Sequence, residues 1–189
     1  MNYIKKKIIM TSIILEKTLN RMVTEVLERN HDLENLVLIG LQTRGVFLAE
    51  RIRDKIKKLE NVTIPVGVLD ISLYRDDFAE NKTDMCLKKT DFPFSIDEKK
   101  IILVDDVLHT GRSVRAAMEC IMDFGRPKAI RFAALIDRGH RELPIQPDFV
   151  GKKFITIPDN ELISVNLKEI DGKDCVILLE KKVGKNICY

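Results

Sequence analysis

The chain has no tryptophan and only three tyrosines and eight phenylalanines among its 189 residues. Without interleaved aromatics there is no platform on which successive bases could stack, which excludes single-strand nucleic-acid binding of that kind. Cysteine is also scarce. The four present, Cys86, Cys120, Cys175 and Cys188, show no Cys-x-x-Cys spacing, so neither a disulfide scaffold nor a structural zinc site is expected, and reduced thiols in a cytoplasm are the simple reading. Long apolar runs are missing: Ile101-Ile102-Leu103-Val104 is far short of the roughly 18 to 20 residues that cross a bilayer, and no membrane partner is expected. The cationic start, Lys5-Lys6-Lys7 before Ile8-Ile9-Met10, reaches Glu16 and Lys17 without a small-residue cleavage site, so secretion is not expected either. Nor does one sign of charge dominate. The 32 Lys and Arg against 29 acids leave +3, which permits a local basic face without identifying one.

What is present is a core-forming composition, 45% hydrophobic and 32% charged, at a length that predicts one domain over 1–189. Thr11 is placed to cap a helix whose apolar stripe runs Leu15, Leu19, Met22, Val23, Val26 and Leu27. Leu36 to Gly40 reads as a buried strand, 41–44 as a loop, and Gly45 to Leu59 as an amphipathic helix. A strand from Ile64 to Leu73 is predicted next. The polar, aperiodic stretch from Tyr74 to Phe94 is then long enough for a functional loop, with an ordinary solvated excursion as the alternative. Further on, the pattern gives a strand at Ile101 to Val104, a helix from Ser113 to Phe124 stopped by Gly125 and Pro127, and a strand at Ile130 to Ile136. Continuous apolar strands alternating with helices predict an α/β fold: a parallel sheet covered by helices on both faces, with ligands at the carboxyl ends of its strands. Ile163 to Glu169 and Cys175 to Glu180 flank Asp171-Gly172 and predict a small C-terminal β-hairpin.

The most informative stretch joins that central strand to its helix: Val104-Asp105-Asp106-Val107-Leu108-His109-Thr110-Gly111-Arg112-Ser113. Backbone N–H groups and hydroxyls from Thr110 to Ser113, at the positive end of a helix, suit a terminal phosphate. Gly111 lets the backbone approach it closely. The paired carboxylates suit vicinal ribose hydroxyls and a divalent cation. An isolated Asp-Asp pair would ordinarily be a capping loop without chemistry, but the whole arrangement closely resembles the signature of type I phosphoribosyltransferases, which bind 5-phosphoribosyl 1-diphosphate there. No G-x-x-x-x-G-K-[ST] or G-x-G-x-x-G motif is present to favour a triphosphatase or a dinucleotide binder.

Three further blocks, Gly40-Leu41-Gln42-Thr43-Arg44-Gly45, Asp70-Ile71-Ser72-Leu73-Tyr74-Arg75-Asp76-Asp77 and Asp137-Arg138-Gly139-His140-Arg141-Glu142-Leu143-Pro144, resemble the bifunctional pyrimidine operon attenuation regulators with uracil phosphoribosyltransferase activity. That resemblance implies the type I phosphoribosyltransferase fold in a cytoplasmic homodimer or higher homo-oligomer. It implies transfer from 5-phosphoribosyl 1-diphosphate to uracil, giving UMP and pyrophosphate. Asp105 and Asp106 would hold the ribose and Mg2+. Thr43, Arg44 and Gly45 would take the pyrophosphate and Thr110, Gly111, Arg112 and Ser113 the sugar phosphate, with Val107, Leu108 and His109 also among the substrate-binding residues. Arg75, with Asp76 and Asp77, falls in the loop that closes over the site, and Arg138 is the residue expected to contact the base. His109 stands where some base-specific transferases place a carboxylate and where these regulators commonly have tyrosine, which favours a positioning ring over a dedicated general base.

The same resemblance implies binding to a pyrimidine operon leader mRNA when uridine nucleotide fills the pocket, favouring transcription termination. Arg21, His140, Arg141 and Lys152 are the expected RNA contacts. Thr24 stands where the first helix commonly presents histidine and Gln146 where the loop commonly presents arginine, so two possible contacts are weakened. The alternatives are a phosphoribosyltransferase for a purine or another nucleobase without RNA regulation, and a non-catalytic RNA-binding regulator that senses nucleotides.

Overall fold

The computed structural model describes residues 3–72, 90–155, 157–158 and 160–181. Strand β1 (Tyr3–Met10) leads through Thr11 into α1 (Ser12–Arg29), and the Thr11 hydroxyl accepts the Ile14 N–H, the capping role its sequence position predicts. There follow β2 (Leu36–Leu41), α2 (Arg44–Glu60), β3 (Val66–Leu69), β4 (Lys100–Leu108), α3 (Arg112–Phe124), β5 (Ala129–Asp137) and β6 (Phe149–Lys153). The described chain ends with β7 (Glu161–Asn166), the single turn α4 (Lys168–Asp171) and β8 (Cys175–Lys181). Among these residues no helix is long and apolar enough to cross a membrane.

Five strands form a parallel sheet in the order β3-β2-β4-β5-β6. Side chains alternate between its faces, as a pleated strand requires. On β4, Ile102 and Val104 pack with Leu15, Leu19, Leu48 and Ile52 of α1 and α2, while Ile101 and Leu103 pack with Val114, Ala117 and Ile121 of α3. Both faces are thus covered, as the unbroken apolar strands predict. A second, antiparallel sheet, β1-β8-β7, contributes Ile163, Val165 and Val176 to the same core as α1 and α2.

The differences from the sequence reading have local causes. Of the strand predicted over Ile64 to Leu73, the described residues form Val66–Leu69, and Leu73 lies outside them: Pro65 has no N–H to give the ladder, and the Asp70 carboxylate turns the chain by accepting the Ser72 N–H. β4 runs on through Leu108, because Asp105, Val107 and Leu108 keep their register with Ala134, Ile136 and Asp137, so the paired acids lie within the strand. β6 escaped prediction because Gly151 and two lysines interrupt its alternation at the sheet edge. The C-terminal hairpin exists, but its first strand stops at Asn166 and a turn of helix replaces a tight turn; Gly172 closes that helix with φ 72°. The apolar stretch at Ile8 to Met10 is the end of a longer strand, whose lysines hide its pairing with β8.

Candidate active site

β2, β4 and β5 are neighbours, and their carboxyl ends carry the predicted residues. From β2 the chain passes through α2 to β3 on one side; from β4 it passes through α3 to β5 on the other. Connections therefore diverge between β2 and β4, the place where open parallel sheets receive ligands.

His109, Thr110 and Gly111 join β4 to α3. Gly111 caps the helix at φ 95°, a backbone region that disfavours any side chain. Thr110 Oγ1 accepts the Arg112 N–H at 3.3 Å, and its carbonyl accepts the N–H groups of Glu142 and Leu143 at 3.0 and 3.1 Å. The loop is thereby braced from behind while its amides stand at the positive end of α3. A cavity of about 330 Å³ opens over it, lined by Asp105, residues 107–114 and Glu142. Glu142 was not foreseen. It pairs with Arg112 at 2.6 Å, and a carboxylate at the edge of this cavity carries no local motif.

Asp105 lines this cavity, and its Oδ1 accepts the Asp106 N–H at 2.9 Å. Asp106 is a different group electrostatically. Burial pushes its carboxyl above the ordinary value, and the Arg44 charge opposes that only in part. Consecutive strand residues face opposite ways, so the two acids stand in different environments.

At the end of β2 the Gln42–Thr43 peptide is cis, and α2 begins at Arg44. Gly45 is required by packing: a Cβ there would stand 2.3 Å from the Val104 carbonyl oxygen. The loop of Thr43, Arg44 and Gly45 is thus pressed against β4 immediately before the acids. Arg44 forms a fork with Asp171 of α4, at 2.9 Å from Nη2 to Oδ1.

Arg138, just past β5, is buried; its Nη2 donates to the Glu161 carbonyl at 3.0 Å and its Nε finds no acceptor among the described residues. His109 and His140 stand with ring centroids 6.2 Å apart. Burial, then the charges of Arg138 and His140, hold the His109 imidazole below its ordinary 6.5. Arg75, Asp76 and Asp77 lie outside the described residues.

The expected RNA residues divide. His140, at φ 55°, and Lys152 are exposed. Arg21 is half-exposed but pairs with Glu25 and donates to the Val150 carbonyl at 2.9 Å, tying α1 to β6. Arg141 is drawn inward: it donates to the carbonyls of Ile145, His109 and Gly139 and to Asp137 Oδ1, the last at 2.6 Å. Those four hydrogen bonds hold its guanidinium against the loop and the end of β5.

A family model described as phosphoribosyl transferase domain matches residues 10–170. The chain belongs to the phosphoribosyl transferase family. Within that family it is 51% identical over 174 residues to the bifunctional protein PyrR of Ligilactobacillus salivarius, covering 91% of this chain and 97% of the relative. It is 52% identical over 166 residues to the protein of the same name from Pelotomaculum thermopropionicum, covering 88% and 91%. Among solved structures, a hypoxanthine-guanine phosphoribosyltransferase of Bacillus anthracis superposes with a TM-score of 0.70 over 92% of this chain and 98% of its own, at 18% identity. The hypoxanthine phosphoribosyltransferase of Trypanosoma cruzi gives 0.70 over 94% and 98%, at 16%. At such identities these two establish the phosphoribosyltransferase fold alone.

Proposed function

We propose that this chain is a uracil phosphoribosyltransferase that also acts as a pyrimidine-responsive regulator, binding a pyrimidine operon leader mRNA to promote transcription attenuation. The observation that carries the proposal is the braced loop of His109 to Ser113 beneath a cavity edged by Asp105. Its amides, hydroxyls and helix end match the 5-phosphate of 5-phosphoribosyl 1-diphosphate, with the ribose hydroxyls within the province of the strand acids. The bifunctional name of the PyrR relatives supports the two-layered reading, as does the exposed pair His140 and Lys152 near the same end of the sheet.

In the reaction the bond from the ribose anomeric carbon to pyrophosphate breaks, positive charge develops on the sugar, the N1–C1 bond to uracil forms and the N1 proton is released. The protein's part is positioning and charge. Thr110 to Ser113 fix the phosphate, Asp105 and Asp106 orient the ribose, and Arg44 neutralises the departing pyrophosphate. Arg138 Nε, a buried donor without an acceptor among the described residues, suits a carbonyl oxygen of the base. His109, held neutral, forms a wall beside it. The carboxylates of Asp105 and Asp106 fit Mg2+, which is commonly held by one or two carboxylates together with substrate oxygens and water. Mg2+ would neutralise diphosphate charge there. A cytoplasmic homo-oligomer belongs to the same reading.

The test is incubation with 5-phosphoribosyl 1-diphosphate and, in turn, uracil, cytosine, hypoxanthine, guanine and adenine. UMP formation with little transfer to any other base is expected. Transfer to a purine instead favours a salvage enzyme, and transfer to none favours a nucleotide sensor without catalysis.

A further inference from the structure

The guanidinium of Arg44 is gripped along one edge. Its Nε donates to Asp171 Oδ2 at 3.3 Å, and its Nη2 to Oδ1 and Oδ2 at 2.9 and 3.3 Å, while Nη1 has no partner among the described residues. Asp171 is itself anchored, because its Oδ2 also accepts the Leu167 N–H at 2.8 Å. Burial raises this carboxyl, but the Leu167 amide and Arg44 outweigh it and keep it below the ordinary value, so the grip is ionic at neutral pH. The platform beneath is fastened separately. Arg51, two turns along α2, forks onto Glu169 at 2.6 and 2.8 Å and onto Asp174 at 2.7 and 3.1 Å, and Asp174 accepts the Lys168 N–H at 2.8 Å. Two layers of carboxylate thus join α4 and the residues just after it to α2: Glu169 and Asp174 clamp the elements together at Arg51, and Asp171 holds Arg44, two turns nearer the start of α2 at the mouth of the site.

We propose that Asp171 is a positioning residue of the pyrophosphate half-site: it holds the Nε and Nη2 edge of Arg44 so that the Nη1 edge is presented, pre-aimed, to the leaving group. The inference rests on the assignment of Arg44 to pyrophosphate. Arginine carries a long, rotamer-rich stem, and a guanidinium fixed on one edge before the substrate arrives loses less freedom on binding than one that must be caught from solvent. The five donors of the group allow both tasks at once.

Steady-state kinetics in both directions test this, with Asp171→Ala, Asp171→Asn, Arg44→Gln, the combination of Asp171→Ala with Arg44→Gln, and Asp174→Asn as the clamp control. Asp171→Ala should raise KM for pyrophosphate and for 5-phosphoribosyl 1-diphosphate about tenfold, leaving KM for uracil within about twofold. Asp171→Asn should lie between, since its amide oxygen can still accept the Leu167 N–H. Asp174→Asn should lower Tm without that selective rise. Adding Asp171→Ala to Arg44→Gln should cost little more, because both remove one interaction. Additive effects, a rise in KM for all substrates alike, or no rise would overturn the proposal. If Arg44→Gln raises KM for pyrophosphate and Asp171→Ala does not, only the positioning role falls. If Arg44→Gln itself leaves that KM unchanged, the assignment of Arg44 falls and the positioning role with it.

Discussion

Arg141 and Asp137 show how a residue's sequence neighbourhood can suggest one role and its environment another. In sequence Arg141 is a cation in a polar loop; in the fold it makes four hydrogen bonds, one of them to a carboxylate that is 1% exposed. Removing one member of a buried pair strands the other, at a typical cost of about 3 to 5 kcal/mol. The Asp137 carboxylate keeps the Gly139 N–H, so Arg141→Gln should cost somewhat less, about 2 to 4 kcal/mol in denaturant unfolding. A loss below ~0.5 kcal/mol would contradict the bracing role, and any loss of RNA affinity in this variant is expected to track loss of structure. Replacing Asp105 and Asp106 together by asparagine should leave folding largely intact and lower kcat/KM by at least about a hundredfold, since ribose and cation lose their charged acceptors. Near-normal turnover would reject the assigned pocket. At His109 the pH dependence follows from its lowered pKa. Below pH 6.5 the unfolded chain takes up a proton that the folded chain resists, so stability is lost as pH falls through that window towards the lowered value. Tm of the wild type should therefore drop more between about pH 7.5 and about pH 5.5 than that of His109→Tyr; equal drops would contradict it. The pH profiles of kcat/KM for the two should share their shape, whereas loss of an acidic limb in the variant would make His109 the base.

The contact between α2 and β4 is a tight demand of the fold at the level of elements. With 2.3 Å between an added Cβ and the Val104 carbonyl, Gly45→Ala must push the start of α2 off the strand. It should destabilise by about 1 to 3 kcal/mol and weaken pyrophosphate binding through displacement of Arg44. A variant with unchanged Tm and unchanged kinetics would show that the loop is not pressed there. Elements with a strong local signal were legible in the sequence. Thr11 before a 3.6-residue stripe gave α1, unbroken apolar runs gave β2, β4 and β5, and the run from Asp105 to Ser113 located the cradle. What escaped depends on contacts distant in sequence. β6 is held by its register with β5 despite Gly151 and two lysines; α4 is held by Arg51 through Glu169 and Asp174. Glu142 and Asp171 reach the site only because β5 and the small sheet return there, and neither carries a local pattern.

Across the whole molecule, the two sheets divide the labour. The parallel sheet supplies the cradle, the acids and Arg138, while the antiparallel sheet supplies the turn that holds Arg44 and the Glu161 carbonyl that holds Arg138. The loop bearing His140 braces the His109 to Ser113 loop from behind through the Glu142 and Leu143 amides on Thr110, so under the proposed function a phosphate in the pocket and an RNA on that loop would act on one connected piece of chain. Coupling between them then has a physical route, and couplings of this kind commonly change affinity by about 5- to 150-fold. The most direct test is the Kd for a pyrimidine operon leader hairpin, measured at one fixed salt concentration without UMP and with saturating UMP. Binding at least about fivefold tighter with UMP is predicted, whereas the same Kd in both conditions would contradict the claim that one pocket serves catalysis and regulation.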